Sequence, residues 1–262
     1  MDLGLNGKRA LVMASSRGLG LACAQALAAE GCHVLLSGRS ADRLRDEAAL
    51  ITAKGPGRAN FVVADLTDKA AVDVLVKAAQ EVLGGVDILV NNTGGPPPGR
   101  MVDADLDVLA QQFDAMAMSV FRITAALLPA MRAQKWGRII TIGSSGVIQP
   151  IPNLGLSNTI RSALVGWSKS LSNDVAADGV TVNMLLPGRI HTERVDELDA
   201  AASKRSGASI DDTRAASRAA IPAGRYGDVA EFGAVAAFLA SSKASYVTGS
   251  LIRCDGGATK SV

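Results

Sequence analysis

The sequence predicts an α/β protein with a doubly wound, parallel sheet of about seven strands and helices on both faces. Three observations carry this prediction. Short runs rich in Val, Ile and Leu alternate with longer Ala-rich stretches of helical period. A glycine-containing turn joins the first strand to the first helix, and no linker or internal repeat divides the chain. Near-continuous apolar strands separated by helices imply a buried parallel sheet, because right-handed crossovers place helices on both of its faces.

The predicted elements follow this alternation from one end of the chain to the other. The first helix is expected at 18–30, directly after the first strand. The polar stretch at 193–220 lacks a clear core face, and we interpret it either as a lid over a ligand site or as a solvated helical pair. Strands are expected at 9–13, 33–37, 60–64, 86–90, 138–142, 180–185 and 250–254.

Composition favours one globular domain over residues 1–262. Apolar residues make up 48% of the chain and charged residues 20%, which is enough to build a large core. The net charge of +2 is interspersed, so no nucleic-acid partner is expected. The N-terminus lacks the pattern of a signal peptide and no uninterrupted apolar run approaches a membrane span, so we expect no membrane partner and a cytoplasmic location. Cys23, Cys32 and Cys254 have no metal-ligand spacing, and no metal site is predicted.

A nucleotide site is predicted at the turn from Ala14 to Gly20. Glycines there let the backbone approach a pyrophosphate, which the amides at the helix N-terminus would stabilise, and the predicted contacts are Ser16, Arg17, Gly18, Leu19 and Gly20. About 20 residues further on, an acidic side chain would hold the ribose of NAD. Arg39 stands in that region instead and suits the 2′-phosphate of NADP, with Arg17 adding charge. NADP is therefore preferred to NAD, although both arginines could be solvated surface charges.

Further motifs follow the later strands: Asp65 after the third, Asn91-Asn92-Thr93-Gly94 after the fourth, Ser144 after the fifth and Pro187-Gly188-Arg189-Ile190-His191-Thr192 after the sixth. With the glycine turn, their order and spacing resemble those of the short-chain dehydrogenase/reductase family over nearly the whole chain. The segments at 221–227, 246–249 and 255–257 resemble the family's closing segment. Bacterial 3-oxoacyl-acyl-carrier-protein reductase-like members look most similar.

The resemblance implies a single Rossmann domain with defined cofactor contacts. Asp65 and Leu66 would face the adenine, and Asn91 and Gly94 would line the ribose side. Pro187, Gly188 and Thr192 would hold the nicotinamide. Ala14 replaces the first glycine of the family's turn, which would shift the turn slightly. The resemblance also implies a homotetramer formed through the long helices before and after the fifth strand.

The catalytic end departs from the family pattern, which has a Ser, a Tyr, a Lys four residues after the Tyr, and a helix Asn. Ser144 takes the Ser position, but Ser157 stands at the Tyr position and Arg161 at the Lys position, and Met116 replaces the Asn. A serine hydroxyl is a far weaker acid than a phenol. Arg161 can bind ribose hydroxyls but cannot relay a proton as Lys does. The chain's two tyrosines, Tyr226 and Tyr246, are followed four residues later by Ala230 and Ser250 rather than by Lys. No shift of the alignment therefore restores the motif.

Two functions remain open from the sequence. The first is an NADP-dependent oxidoreductase for a small carbonyl or alcohol substrate, with Ser144, Ser157 and Arg161 as its catalytic residues. Its proton would come from a water held by Ser144 and Ser157, from His191, or from an acidic group of the substrate itself. The second is a nucleotide-binding pseudoenzyme that serves as a sensor or as a non-catalytic subunit.

Overall fold

Seven parallel strands form one sheet in the computed structural model. The model describes residues 1–261, so Val262, the last residue of the predicted domain, lies outside the described residues. The strands stand in the order β3-β2-β1-β4-β5-β6-β7, which confirms the predicted doubly wound sheet. Their bounds are β1 Arg9–Val12, β2 His33–Gly38, β3 Arg58–Val63, β4 Ile88–Asn91, β5 Gly137–Ile142, β6 Val180–Pro187 and β7 Leu251–Cys254.

Helices cover both faces of this sheet. One apolar cluster contains Leu27, Leu44 and Phe232, and it joins α1, α2 and α9 to one face. Two further clusters join α3, α5 and α6 to the opposite face. The helices are α1 Gly18–Ala29, α2 Ala41–Lys54, α3 Ala71–Leu83, α4 Leu106–Phe113, α5 Ser119–Ala133, α6 Gly155–Val175, α7 Glu193–Ser206, α8 Ile210–Ala219 and α9 Val229–Ala240.

The order of the sheet reverses between β1 and β4. β1 pairs with β2 on one side and with β4 on the other, so the chain leaves neighbouring strands in opposite directions. In such sheets a crevice opens beyond the carboxyl ends of the strands at the point of reversal. The glycine-containing turn after β1 and the Asn91–Gly94 segment after β4 both lie at this crevice.

Most of the predicted strand and helix ends differ from the observed ones by one or two residues. The predicted strand at 86–90 begins instead at Ile88, although the Asp87 amide still donates to the Arg9 carbonyl at 2.9 Å. The stretch at 193–220 is a pair of helices, α7 and α8, separated at Gly207, which ends α7 with a φ of +74°. Cys23 and Cys32 are buried and Cys254 is half-buried, and burial raises the pKa of the Cys23 and Cys32 thiols to about 12.

A continuous helical run, Leu106–Ala133, joins α4 to α5 through a π-helical segment at Asp114–Met118. By length and composition alone this run could cross a membrane. It also packs against α3 and α6 and carries an ion pair between Arg122 and Asp114 at 3.0 Å. The sequence prediction of no membrane partner therefore stays a prediction.

Candidate active site

The turn after β1 has the close backbone packing expected of a phosphate-binding turn. Ser15 is fully buried and its hydroxyl donates to the Val12 carbonyl at 2.8 Å, which fixes the turn to β1. Gly18 has a φ of +60°, and a Cβ on Gly20 would lie 2.6 Å from the carbonyl oxygen of Ala14. Ala14 itself adopts a φ of +45°, so it keeps the left-handed conformation of a glycine despite its methyl group.

The N-terminus of α1 opens toward this turn. Arg17 is the residue before the helix, and its side chain makes no capping hydrogen bond. The first amides of a helix carry partial positive charge and lack partners within the helix, so an anion bound here would be stabilised.

Cationic side chains surround the opening beside the turn. Arg17 and Arg43 both bind the carboxylate of Glu193, the first residue of α7, and the hydrogen bond from Arg17 lowers the pKa of that carboxyl. Arg39 is exposed directly after β2, next to Gly38, whose Cβ position lies 3.3 Å from the Ser16 hydroxyl. Asp65 follows β3, and a hydrogen bond from the Thr67 amide, with a smaller contribution from Arg39, lowers its pKa.

The two segments after β4 and β6 complete the crevice. The Asn91 side chain is fully buried and its Nδ2 donates to the Thr124 hydroxyl at 3.1 Å, so this amide points into the core rather than toward a ribose. Gly94 is exposed, with open space around its Cβ position. Thr192 lies across the crevice, with its methyl carbon 3.8 Å from the Cβ position of Gly18.

Pro187 and Gly188 leave the end of β6 on the same side as Thr192. A Cβ on Gly188 would lie 2.6 Å from the Cα of Asp255, so this position accepts no side chain without a shift of the backbone. Leu19 and Leu66, two further predicted contacts, are half-buried and pack against the core on opposite faces of the sheet.

Ser144 and Arg161 lie beside the carboxyl end of β5, and Ser157 is on the same helix as Arg161. Ser144 is half-buried, and its hydroxyl accepts a hydrogen bond from the Gly146 amide at 3.0 Å. Ser157 and Arg161 are one turn apart on α6. Arg161 is 9% exposed and donates to the carbonyl oxygens of Ile142 at 2.9 Å and of Gly94 at 3.4 Å. The guanidinium therefore lies between the ends of β4 and β5.

Both tyrosines of the chain lie away from these three residues. The Tyr226 hydroxyl donates to the buried carboxylate of Asp199 at 2.7 Å, and Tyr246 is fully exposed. Burial, together with the hydrogen bond to Asp199, raises the pKa of Tyr226. His191 is exposed, with its Nε2 3.6 Å from a carboxylate oxygen of Asp196. Neither tyrosine is thus placed to act as the proton donor beside Ser144.

Met116 occupies the π-helical segment between α4 and α5. It is 2% exposed and belongs to an apolar cluster with Ile160 and Leu164 of α6. A thioether in such surroundings has no proton to relay. No group of three or more metal-ligating side chains is found within residues 1–261.

Sequence reasoning missed two residues at the start of α7. Glu193 joins Arg17 and Arg43, and Arg194 donates to the Pro96 carbonyl at 3.1 Å in the loop after β4. The available signal was their place directly after Thr192, the residue that caps α7. It was weak, because charged residues are common in the first turn of any helix.

Comparisons with known proteins agree with this geometry. A family model described as Enoyl-(Acyl carrier protein) reductase matches residues 13–259. The chain is 35% identical over 257 residues to 3-oxoacyl-acyl-carrier-protein reductase FabG of Salmonella typhimurium, which covers 97% of this chain and 98% of that protein. It is 36% identical over 258 residues to nodulation protein G of a Rhizobium species, covering 97% of each.

Solved structures give the same result at the level of the fold. The chain is similar to L-sorbose reductase from Gluconobacter frateurii, complexed with NADPH and L-sorbose, with a TM-score of 0.94, 32% identity and full coverage of both chains. It is also similar to YwfH, an NADPH-dependent reductase involved in bacilysin biosynthesis, with a TM-score of 0.93, 28% identity, and coverage of 98% of this chain and 100% of that one.

Proposed function

The chain belongs to the short-chain dehydrogenase/reductase family, and from that premise we propose that it is an NADP(H)-dependent oxidoreductase with an altered catalytic centre. Its substrate is a small molecule with a carbonyl or alcohol group. The observation that supports the proposal is that Ser144 and Arg161 lie beside the end of β5, at the same edge of the sheet as the glycine turn with Arg17 and Arg43 beside it.

The residues of the crevice fit a phosphorylated dinucleotide. Glycine at position 20 lets the turn pack closely against α1, since a Cβ there would lie 2.6 Å from the Ala14 carbonyl oxygen, and the amides at the start of α1 would bind a pyrophosphate. Arg17, Arg39 and Arg43 supply the cationic surface that a 2′-phosphate requires. Relatives in this family with known structures are named as NADPH-bound or NADPH-dependent, which supports the same cofactor here.

The remaining predicted contacts would each face a different part of a bound cofactor. Asp65 and Leu66 would lie on the adenine side, and the backbone of Asn91 together with Gly94 on the ribose side. Pro187, Gly188 and Thr192 would hold the nicotinamide, which supplies or accepts the hydride when bound. The protein groups orient the ring and exclude water from it.

For catalysis, we propose that Ser144 donates a hydrogen bond to the substrate oxygen. No tyrosine phenol is available to transfer the proton to that oxygen. We assign Ser157 and Arg161 to the positions that hold Tyr and Lys in the family pattern. Burial and the neighbouring Arg194 lower the pKa of Arg161 to about 10, so the guanidinium stays charged at neutral pH and fixes negative charge rather than moving a proton. We propose a water held by Ser144 and Ser157 as the proton source, because the exposed His191 has its Nε2 3.6 Å from a carboxylate oxygen of Asp196.

A second function is favoured by the same departures. Serine, arginine and methionine at positions 157, 161 and 116 remove every proton-relay group of the family pattern. A nucleotide-binding pseudoenzyme, acting as a sensor or as a non-catalytic subunit, would keep the crevice and lose turnover.

Two measurements separate these functions. NADPH fluorescence titrated with the purified protein tests binding, and loss of nicotinamide absorbance across a panel of ketones, aldehydes and oxoacyl thioesters tests turnover. Binding with turnover of at least one class supports the oxidoreductase. Binding without turnover across the whole panel supports the pseudoenzyme, and absence of binding contradicts both.

The choice of nucleotide is tested at Arg39. Arg39→Asp should weaken the binding of NADPH at least tenfold and shift the preference toward NADH. A carboxylate repels a 2′-phosphate and can bind ribose hydroxyls. Arg58→Asp at the exposed amino end of β3 makes the same change of charge away from the crevice and serves as the control. Unchanged NADPH affinity in the Arg39 variant would reject its assigned role.

The assignment of positions 157 and 161 is tested by restoring the family pair. Ser157→Tyr combined with Arg161→Lys should raise carbonyl reduction well above the starting protein, because a phenol beside an ammonium is an effective acid near neutral pH. No gain, in a variant that still binds NADPH, would count against the alignment.

Two assembly features complete the proposal. A homotetramer would form through the Leu106–Ala133 run and α6, which light scattering on the purified protein tests directly. The segment at 193–220 would cover the substrate side of the crevice as a lid. Its contact from Arg194 to the Pro96 carbonyl supports that placement.

A further inference from the structure

Two arginines converge on the loop that follows β4. Arg161 reaches it from α6 and donates to the Gly94 carbonyl, and Arg194 reaches it from α7 and donates to the Pro96 carbonyl at 3.1 Å. The guanidinium of Arg194 lies 3.4 Å from the Cβ position of Gly95, between those two carbonyls. Arg161 and Arg194 are near enough for their charges to repel, and this repulsion adds to burial in lowering the pKa of Arg161.

Arg161 is poorly compensated for a buried cation. Its hydrogen bonds are one of 2.9 Å and one of 3.4 Å, both to carbonyl oxygens, and no carboxylate within residues 1–261 forms an ion pair with it. Three of the five N–H groups of the guanidinium therefore make no hydrogen bond to the described part of the protein. Burying a charge is costly unless it is paired and fully hydrogen-bonded.

Arg138, the other deeply buried arginine, shows what compensation looks like in this fold. It donates to three carbonyl oxygens, those of Gly137, Gly179 and Ser241, and its guanidinium lies 4.5 Å from the centre of the Trp136 ring. Arg161 has another cation where Arg138 has an aromatic ring. The difference leaves the guanidinium of Arg161 with charge and N–H groups available to an anion.

The place for that anion is the substrate side of the crevice. Arg161 lies one helical turn from Ser157, and it holds the carbonyl of Ile142, two residues before Ser144. Arg194 has an ion pair with Glu197 at 3.2 Å, but both side chains are about half exposed, so solvent screens it and it is easily exchanged. An anionic group between the two guanidinium groups would lie next to the oxygen that Ser144 holds.

We propose that the substrate carries an anionic group, a carboxylate or a phosphate, which Arg161 and Arg194 bind together. This inference rests on the proposed function for its substrate, but not on turnover. Planar guanidinium groups bind both kinds of oxyanion through charge-assisted hydrogen bonds, which accounts for the choice of arginine at position 161.

Calorimetry on the NADPH-saturated protein tests binding of the anion itself. Benzoate and phenyl phosphate are the probes and benzamide is the neutral match. At least one anion should bind tenfold or more tightly than benzamide, and the tighter of the two identifies the headgroup. Arg194→Gln should reduce that preference at least tenfold, roughly what one lost charged hydrogen bond gives. Arg58→Gln, at the exposed amino end of β3 and outside the crevice, should leave it unchanged.

Two outcomes would overturn the inference. One is equal binding of benzamide and both anions. The other is a loss of NADPH affinity in Arg194→Gln with the anion preference intact, since the arginine would then serve the cofactor.

Turnover separates this inference from the proposed function. With benzoylformate and its methyl ester as substrates, Arg194→Gln should lower kcat/KM for the acid tenfold or more and change that for the ester less than twofold. Turnover of acid and ester alike, insensitive to Arg194→Gln, would keep the oxidoreductase and reject the anion site. Anion preference without oxidation of NADPH by any oxo compound would keep the anion site and reject the oxidoreductase.

Discussion

Gly20 is the position in the glycine turn where a single methyl group should do the most damage. It lies in the first turn of α1, and its Cβ position points at the turn after β1 and at Asn92. A Cβ built there would lie 2.6 Å from the Ala14 carbonyl oxygen and 2.6 Å from Nδ2 of Asn92. Those two atoms are themselves hydrogen-bonded at 3.0 Å, which ties the segment after β4 to the turn after β1.

The cost of Gly20→Ala follows from these contacts. Forcing a methyl into a packed site costs roughly 1–3 kcal/mol, and loss of the hydrogen bond between Asn92 and Ala14 adds about 1 kcal/mol. A total near 2–4 kcal/mol corresponds to a fall in Tm of roughly 5–15 °C for a domain of this size. Because the backbone of the turn must shift, NADPH should also bind at least tenfold more weakly, a change of about 1.4 kcal/mol.

Thermal melting and NADPH titration measure the two effects separately. Gly99→Ala is the matched control, since its Cβ position has open space around it and its backbone is not left-handed. That variant should melt within about 2 °C of the starting protein, as surface substitutions usually do. A Gly20→Ala protein with unchanged Tm and unchanged NADPH affinity would refute the account of the turn.

Four further predictions follow from named contacts. Ala14→Gly should stabilise the fold by about 0.5–1 kcal/mol, since glycine adopts the φ of +45° without strain, and an unchanged or lower Tm would contradict this. Burial opposes ionisation of Asp87, but hydrogen bonds from Arg9 outweigh it and lower the pKa below the unfolded value, so the stabilisation is present above about pH 4 and is lost as pH falls through the folded pKa. Asp87→Asn should therefore cost about 2 kcal/mol at pH 7 and flatten the decline in Tm between pH 5 and pH 3, and a parallel decline would reject the assignment. Asp199→Asn should cost about 2–3 kcal/mol, because this buried carboxylate holds Arg189 at 2.5 Å and Tyr226 at 2.7 Å, and a melt within 2 °C of the starting protein would disprove it. Glu193→Gln should tighten NADPH two- to fivefold by freeing Arg17 and Arg43 for phosphate, an effect that titration at low salt detects and that weaker binding would contradict.

The sequence was sufficient for the sheet because each strand carries its own apolar pattern. It was also sufficient to bring Ser144, Asn91 and the glycine turn to one edge, since carboxyl ends of parallel strands share an edge. It was insufficient for the direction of a side chain at that edge. Asn91 ends a strand that is buried on both faces, so its amide turns inward to Thr124, a partner 33 residues away that no local pattern indicates.

The start of α7 was beyond sequence reasoning for a related physical reason. The partners of Glu193 and Arg194 are Arg17, Arg43 and Pro96, which lie about 100 to 180 residues earlier in the chain. From the local sequence alone, charged residues in the first turn of a helix indicate only ordinary stabilisation of that helix. Its role becomes visible when the crevice brings these segments together.

Adjacent residues of α7 thus serve opposite ends of the crevice. Successive positions on a helix diverge by about 100°, which lets Glu193 face the arginines of the nucleotide opening while Arg194 faces the loop after β4. Asp199 anchors the middle of α7 through its contacts with Arg189 and Tyr226. A 2′-phosphate bound by Arg17 would compete with the Glu193 carboxylate, whereas a nucleotide without that phosphate would not. The phosphate that distinguishes NADP from NAD is therefore expected to act on the same helical turn that positions Arg194 for substrate.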